Sequence, residues 1–177
     1  MAKRPSKAAQ GIMAKAMRKL KWVDEPFERV GNVRKLKSDA IYESGKKGTK
    51  IKYVYTTDAA GRIKSAHARP LQLPPKTPRA HHNPKTPDKL PGDHAGHLFA
   101  DMFGGSGRLD NLVSQSSDVN LKKMGALERD WKKRLEAGEK FDVDIKVNYG
   151  KDGRPTSFVV NETLADGTIV KHQFRNR

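Results

Sequence analysis

Apolar and polar residues alternate along much of this chain, with a period that changes from segment to segment. Residues 8–22 set Ile12, Met13, Ala16, Met17 and Leu20 at helical spacing with Lys15, Arg18, Lys19 and Lys21 between them, which predicts a short amphipathic basic helix. Three roles are open for it: a packing element, a nucleic-acid contact, or the end of a linker. Ile51, Tyr53 and Tyr55 then alternate with Lys52, Val54 and Thr56, and Asp58-Ala-Ala-Gly61 supplies turn chemistry before alternation resumes over 62–68. Residues 40–44 read as a strand that precedes this hairpin. Further on, Leu121, Met124, Leu127, Trp131 and Leu135 predict a helix over 120–138, with Asn120 as its N-cap and Gly138 as its stop. Phe141, Val143, Ile145 and Val147 alternate with Asp142, Asp144 and Lys146, and the turns at 150–153 and 165–167 separate two more strands at 156–161 and 169–174. An antiparallel meander beside a helix is an α+β arrangement.

The stretch from Pro70 to Pro91 holds seven of the ten prolines and reads as a long extended loop. Its length argues for function or mobility more than for simple connection. His81 and His82 within it read as solvated polar sequence. The chain thus divides into a basic N-terminal extension or linker, 1–36, and one domain, 37–177, with the proline-rich loop 70–92 inside it.

Charge sharpens this division. The formal net charge is +16, and residues 1–90 carry 22 Lys and Arg against 7 Asp and Glu, whereas the remainder is nearly balanced. A polyanion is the natural partner, and nucleic acid is the commonest one. With no cysteine, disulfides and thiolate metal sites are excluded. No apolar run is long enough to span a membrane, and the basic N-terminus lacks the apolar core of a cleavable signal peptide. Residence in the cytoplasm, or export by a route that reads no cleavable signal, both fit.

The segment from Asp93 to Glu128 concentrates the candidate chemistry. It reads Asp93-His-Ala-Gly-His97-Leu-Phe-Ala-Asp-Met-Phe-Gly-Gly105, then Asp110-Asn-Leu-Val-Ser-Gln115-Ser-Ser-Asp-Val-Asn120, then Glu128. Hydrolysis of a phosphodiester needs a group that takes a proton from water near neutral pH, which suits an imidazole. It also needs positive charge against the phosphoryl and leaving oxygens, which suits a divalent cation. Magnesium prefers oxygen ligands and keeps most of its water, so one amide oxygen and one carboxylate suffice. Asn120 and Glu128, eight residues apart on a helix, return to roughly the same face. Each residue also has a structural reading: a helix cap for Asn120, a surface charge for Glu128, a core histidine for His97.

Taken together these residues resemble the DNA/RNA non-specific endonucleases, the ββα-metal or His-Me finger nucleases, and in particular the branch found as toxin domains of bacterial polymorphic and secreted toxins. The blocks that carry the likeness are Tyr55-Thr-Thr-Asp58-Ala-Ala-Gly-Arg62, Ala95-Gly-His97-Leu-Phe-Ala-Asp-Met-Phe-Gly-Gly105, Asn111-Leu-Val-Ser-Gln115, Asn120, and Glu128 with Trp131. The resemblance implies a ββα-metal core whose helix bears the metal site. It implies His97 as general base, Asn120 as metal ligand, and Glu128 as support for the metal's water shell. Arg62 is then the first candidate for the phosphate clamp, with Arg79 and Arg69 as alternatives. Asn111 and Gln115 brace the site, and Asp93 orients His97 or structures its turn. The implied cofactor is Mg2+, with Mn2+ as substitute, and the implied substrate is DNA or RNA cut with little sequence preference. An antibacterial toxin with a cognate immunity protein is the implied biology, a delivered effector acting in a target-cell cytoplasm and not at a membrane.

One departure bears on mechanism. The better-known branch reads Asp-Arg-Gly-His, whereas here Ala95 stands where that Arg would be and the nearest acid, Asp93, lies one position further away. The missing Arg leaves room for a non-catalytic module of the same fold. A zinc site built on His94, His97 and His81 or His82 is the third reading.

Overall fold

The computed structural model describes residues 2–16 and 19–177. In chain order the elements are α1 (Lys7–Lys15), β1 (Lys21–Trp22), β2 (Phe27–Val30), β3 (Val33–Leu36), β4 (Ala40–Ser44), β5 (Tyr53–Thr57) and β6 (Ile63–Ala68). Then follow β7 (His94–His97), β8 (Leu112–Gln115), α2 (Gly125–Glu136), β9 (Phe141–Tyr149), β10 (Pro155–Leu164) and β11 (Ile169–Arg175). A 3-10 turn, Asp101–Phe103, precedes β8, and a π-helical segment, Asp118–Met124, runs directly into α2. The α+β class expected from the pattern is the class observed.

Seven strands form one sheet in the order β1-β4-β5-β6-β9-β10-β11, antiparallel throughout except for the short parallel pair β1 and β4. Alternation explains how the sheet is covered. Tyr53 and Tyr55 on β5 face the main core, where they meet Leu98, Phe99 and Phe103. Val54, from the intervening position, faces the other way and packs with Ile41 against Ala9 and Ile12 of α1. All of β5 is therefore buried, because both faces of the sheet are covered there.

Helix α1 starts at Ser6, whose hydroxyl accepts the Ala9 amide at 3.1 Å. It is shorter than the basic helix expected over 8–22, and Met17 and Arg18 lie outside the described residues. Of the three roles left open for it, packing is one that α1 fills. The strands β1, β2 and β3 carry no clean alternation and were not expected from the sequence.

The helix expected over 120–138 begins two residues earlier, so Asn120 sits inside the π-helical segment and is not an N-cap. The i→i+5 bonding of that turn shifts the apolar stripe. Val119 and Met124, five apart, are buried, while Leu121 is exposed. Trp131 continues the stripe and lies edge-on to Phe103, with ring centroids 6.1 Å apart, which locks α2 to the loop after His97.

Candidate active site

The ribbon β7–β8 and the helix α2 stand together on one face of the large sheet. In the ribbon His94 pairs with Gln115 and His97 with Leu112. Gly96 is required at the centre of this ribbon, because a Cβ there would lie 2.2 Å from the Gln115 side chain that folds over it. Gln115 is fully buried, and neither polar atom of its carboxamide has a partner among the described residues.

Asn111 braces the chain after His97. Its Oδ1 accepts from the Tyr55 hydroxyl at 2.8 Å and the Phe99 amide at 3.0 Å, and its Nδ2 donates to the carbonyls of Phe99 and Ser106, both at 2.8 Å. All four hydrogen-bonding positions of the buried amide are filled.

A cleft of about 1030 Å³ opens over this layer, and His97, Asn120 and Glu128 all line it. Asn120 Nδ2 stands 3.1 Å from His94 Nδ1, a contact in which the amide donates. Its Oδ1 has no hydrogen bond within the described structure. Glu128 is half-buried and forms neither a hydrogen bond nor an ion pair there. Burial pushes its carboxyl up to about 7, opposed only by Arg129. Glu128 and Asn120 Oδ1 are thus oxygen donors on one cleft that the described residues leave without a partner. Among the described residues no group of three or more His, Asp or Glu is placed to hold a metal, so the three-histidine zinc arrangement finds no support.

His97 is pushed down to about 4, first by burial, then by His82, with Asp101 opposing and Arg79 adding to the effect. The imidazole is therefore uncharged at neutral pH and free to accept a proton.

The remaining candidates separate. Asp93 lines the cleft but does not touch His97; the Arg154 guanidinium takes both its carboxylate oxygens, at 2.6 and 2.7 Å. Arg62 does not reach the cleft. It pairs with Asp58 at 2.8 Å and lies over the Tyr149 ring. Arg69 is also committed elsewhere, to Asp144 at 3.1 Å.

Nine residues of the proline-rich loop line the cleft, among them Lys76, Arg79, His82 and Lys89. The His82 ring is 5.5 Å from that of His97, and Arg79 also lines the cleft. His82 is thus part of the site's wall, contrary to its reading as solvated sequence; His81 remains exposed. The loop itself is tied down along its length. The Leu71 amide donates to Phe141, the Asn83 amide to Gly107, and Ser114 Oγ to the Pro87 carbonyl. No local pattern announces these ties, since each partner is distant in the chain.

The sequence model of a family described as DNA/RNA non-specific endonuclease matches residues 40–165. Type VII secretion system proteins EssD from Staphylococcus aureus strains USA300 and Newman are each 34% identical over 173 residues, covering 88% of this chain. The chain spans only 27% of the length of those relatives. Among solved structures, NucA from Streptococcus agalactiae with magnesium ion bound matches with a TM-score of 0.56 at 16% identity, covering 85% of this chain and 82% of that one. That likeness bears on the fold.

Proposed function

The chain belongs to the DNA/RNA non-specific endonuclease family, and on that premise we propose that it hydrolyses phosphodiester bonds in DNA or RNA by a metal-dependent reaction with little sequence preference. The observation that carries this reading is the convergence of His97, Asn120 and Glu128 on one cleft.

His97 is the general base. Its imidazole, uncharged at neutral pH, takes the proton of the water that attacks phosphorus. Asn120, through Oδ1, and Glu128, directly or through water, would hold a magnesium ion, with manganese as substitute. Such an ion supplies positive charge against the phosphoryl and leaving oxygens. His94 turns the Asn120 amide so that its oxygen stays free. Asn111 and Gln115 brace the ribbon and the loop that carry His97. Weak sequence preference follows if binding rests on Lys and Arg contacts to phosphate, which carry no direct base information. The magnesium ion named with the NucA structure supports the choice of metal.

The biological reading is a toxin domain of a larger delivered effector, held in check by an immunity protein and acting inside a target cell. It is supported by the relatives' names as type VII secretion system proteins and by the fraction of their length that this chain spans. No helix among the described residues is long and apolar enough to cross a membrane.

Incubation of plasmid DNA and of RNA with the protein, with and without magnesium, tests the reading. Degradation that needs magnesium, stops with EDTA and disappears in His97→Ala is expected. Wild-type speed in His97→Ala removes His97 as the base, and salt-sensitive binding without cleavage in any divalent metal means a non-catalytic module.

A further inference from the structure

The proline-rich arm crosses the cleft at Arg79, and the backbone on both sides of that residue is pinned by one buried ion pair. Lys46 follows β4 and its side chain is 6% exposed. Its Nζ donates to the Pro78 carbonyl and to Asp101 Oδ2, both at 2.8 Å. The other oxygen of Asp101 accepts the Ala80 amide at 3.0 Å. Burying a Lys–Asp pair is costly unless its remaining donors and acceptors find partners, and here the arm's own peptide groups supply one to each side chain.

What the pair holds in place is an arginine without a partner. Arg79 is exposed and makes no ion pair or hydrogen bond among the described residues. Arg62, Arg69, Arg108, Arg134 and Arg154 are each paired with a carboxylate. Arg79 is the arginine that shares the cleft with His97, Asn120 and Glu128, while Ala95 offers no cation on the strand that bears His97. Of the lysines that also line the cleft, Lys89 donates to the Pro84 carbonyl, Lys132 pairs with Glu136, and Lys76 offers a point charge without the guanidinium fork. A guanidinium fork matches two phosphate oxygens, and a backbone already fixed on both sides reduces the ordering cost of that contact.

We propose that Lys46 and Asp101 are positioning residues that hold the proline-rich arm as a fixed wall of the cleft, and that Arg79, carried by that wall, binds the phosphate undergoing hydrolysis. The proposal rests on the cleft being a phosphodiesterase site.

The test uses the full chain and a labelled oligonucleotide. Cleavage is followed in magnesium, and binding is followed in EDTA over a range of salt. Arg79→Ala should lower kcat/KM about a hundredfold, the scale of removing one charge-stabilising donor. Arg79→Lys, which keeps charge without the fork, should fall between. In EDTA, Arg79→Ala should reduce the slope of log binding constant against log salt by about one. Lys46→Met should lower kcat/KM by about tenfold or more, and Lys46→Met with Arg79→Ala should be no worse than Arg79→Ala alone. Amide exchange at Ala80 should quicken in Lys46→Met. If that variant does not fold, Ala80→Pro removes the amide received by Asp101 at an arm position, and the same loss is expected. Arg79→Ala within about threefold of wild type, with an unchanged salt slope, overturns the phosphate contact. Additive losses in the double variant overturn the positioning role. A wild-type protein that binds but never cleaves defeats the nuclease reading instead, while the salt slope and amide exchange still decide the arm's role.

Discussion

Arg154 grips Asp93 across 61 residues of chain, its Nε and Nη2 donating to the two carboxylate oxygens at 2.7 and 2.6 Å. Both side chains are almost fully buried. Asp93 Oδ2 also accepts the Leu90 amide at 2.9 Å, and Arg154 Nη1 donates to the Asn176 carbonyl at 2.7 Å. One pair thus ties the end of the proline-rich arm, the start of β7, the β9–β10 turn and the C-terminal segment together. Asp93 anchors the start of the strand that carries His97 and does not touch His97.

Arg154→Leu should therefore destabilise the fold by about 3–5 kcal/mol, because it strands a buried carboxylate. Denaturant unfolding at neutral pH measures this, and a loss below about 1 kcal/mol would show the pair to be peripheral. The pH dependence has a definite sign. Burial would raise the Asp93 carboxyl, but the Arg154 hydrogen bonds and the Leu90 amide outweigh it and hold it below the usual range. A lowered folded-state value contributes stability above the unfolded value and loses it as pH falls through the folded one. The gap between wild type and Arg154→Leu should accordingly close in acid.

His97 predicts the shape of the acid limb of activity. Its imidazole is pushed down to about 4, chiefly by burial, so the base stays unprotonated well below the pH at which an exposed histidine would charge. At saturating magnesium, kcat/KM should not show a limb near pH 6.5 assignable to His97. A His97 ring resonance that titrates near pH 6.5 by NMR would mean the imidazole is far more solvated than the structure has it.

Several residues that line the cleft were legible in the sequence as candidates, and those that were not have a common cause. His97 stood out because Gly96 and the Gly104-Gly105 pair flank it, and Glu128 because it follows the apolar face of α2. The hairpin and the meander followed from alternation alone. Asn120 lines the cleft with His97 and Glu128 but is not the helix cap its sequence context predicts, since only the burial of Val119 and Met124 five residues apart reveals the π turn. Arg62 illustrates a missed local signal: Asp58 stands four residues before it and takes its guanidinium. His82 and Arg79 had no such signal. Their place depends on Lys46, Asp101 and Gly107, which approach only after the sheet and the ribbon have formed.

Gly105 and Gly11 should respond to alanine in opposite directions. A Cβ on Gly105 would lie 1.8 Å from the Phe99 carbonyl oxygen and 2.9 Å from Asn111 Nδ2, so backbone would have to move against the most heavily bonded amide in the site. Gly105→Ala should cost about 3 kcal/mol or more and lower activity with it. Gly11 lies within α1 with nothing within 4 Å of its missing Cβ. Gly11→Ala should stabilise by about 0.5–1 kcal/mol. Thermal unfolding of both variants checks the pair.

The role of the basic N-terminal segment can be decided by two substitutions on α1. Ile12 is buried with Ala9 against Ile41 and Val54, whereas Lys15, one turn away, carries the helix's terminal positive charge. If α1 serves to cover the sheet, Ile12→Ala should cost about 2–3 kcal/mol, since it opens a gap over two buried side chains. Lys15→Ala should then change stability by no more than about 0.5 kcal/mol and leave cleavage unaltered. If α1 instead contacts the nucleic acid, Lys15→Ala will weaken binding alike for all sequences and flatten its salt dependence, because a phosphate contact carries no base information. Unfolding curves and salt-dependent binding on the same two variants separate a packing helix from a substrate-binding one.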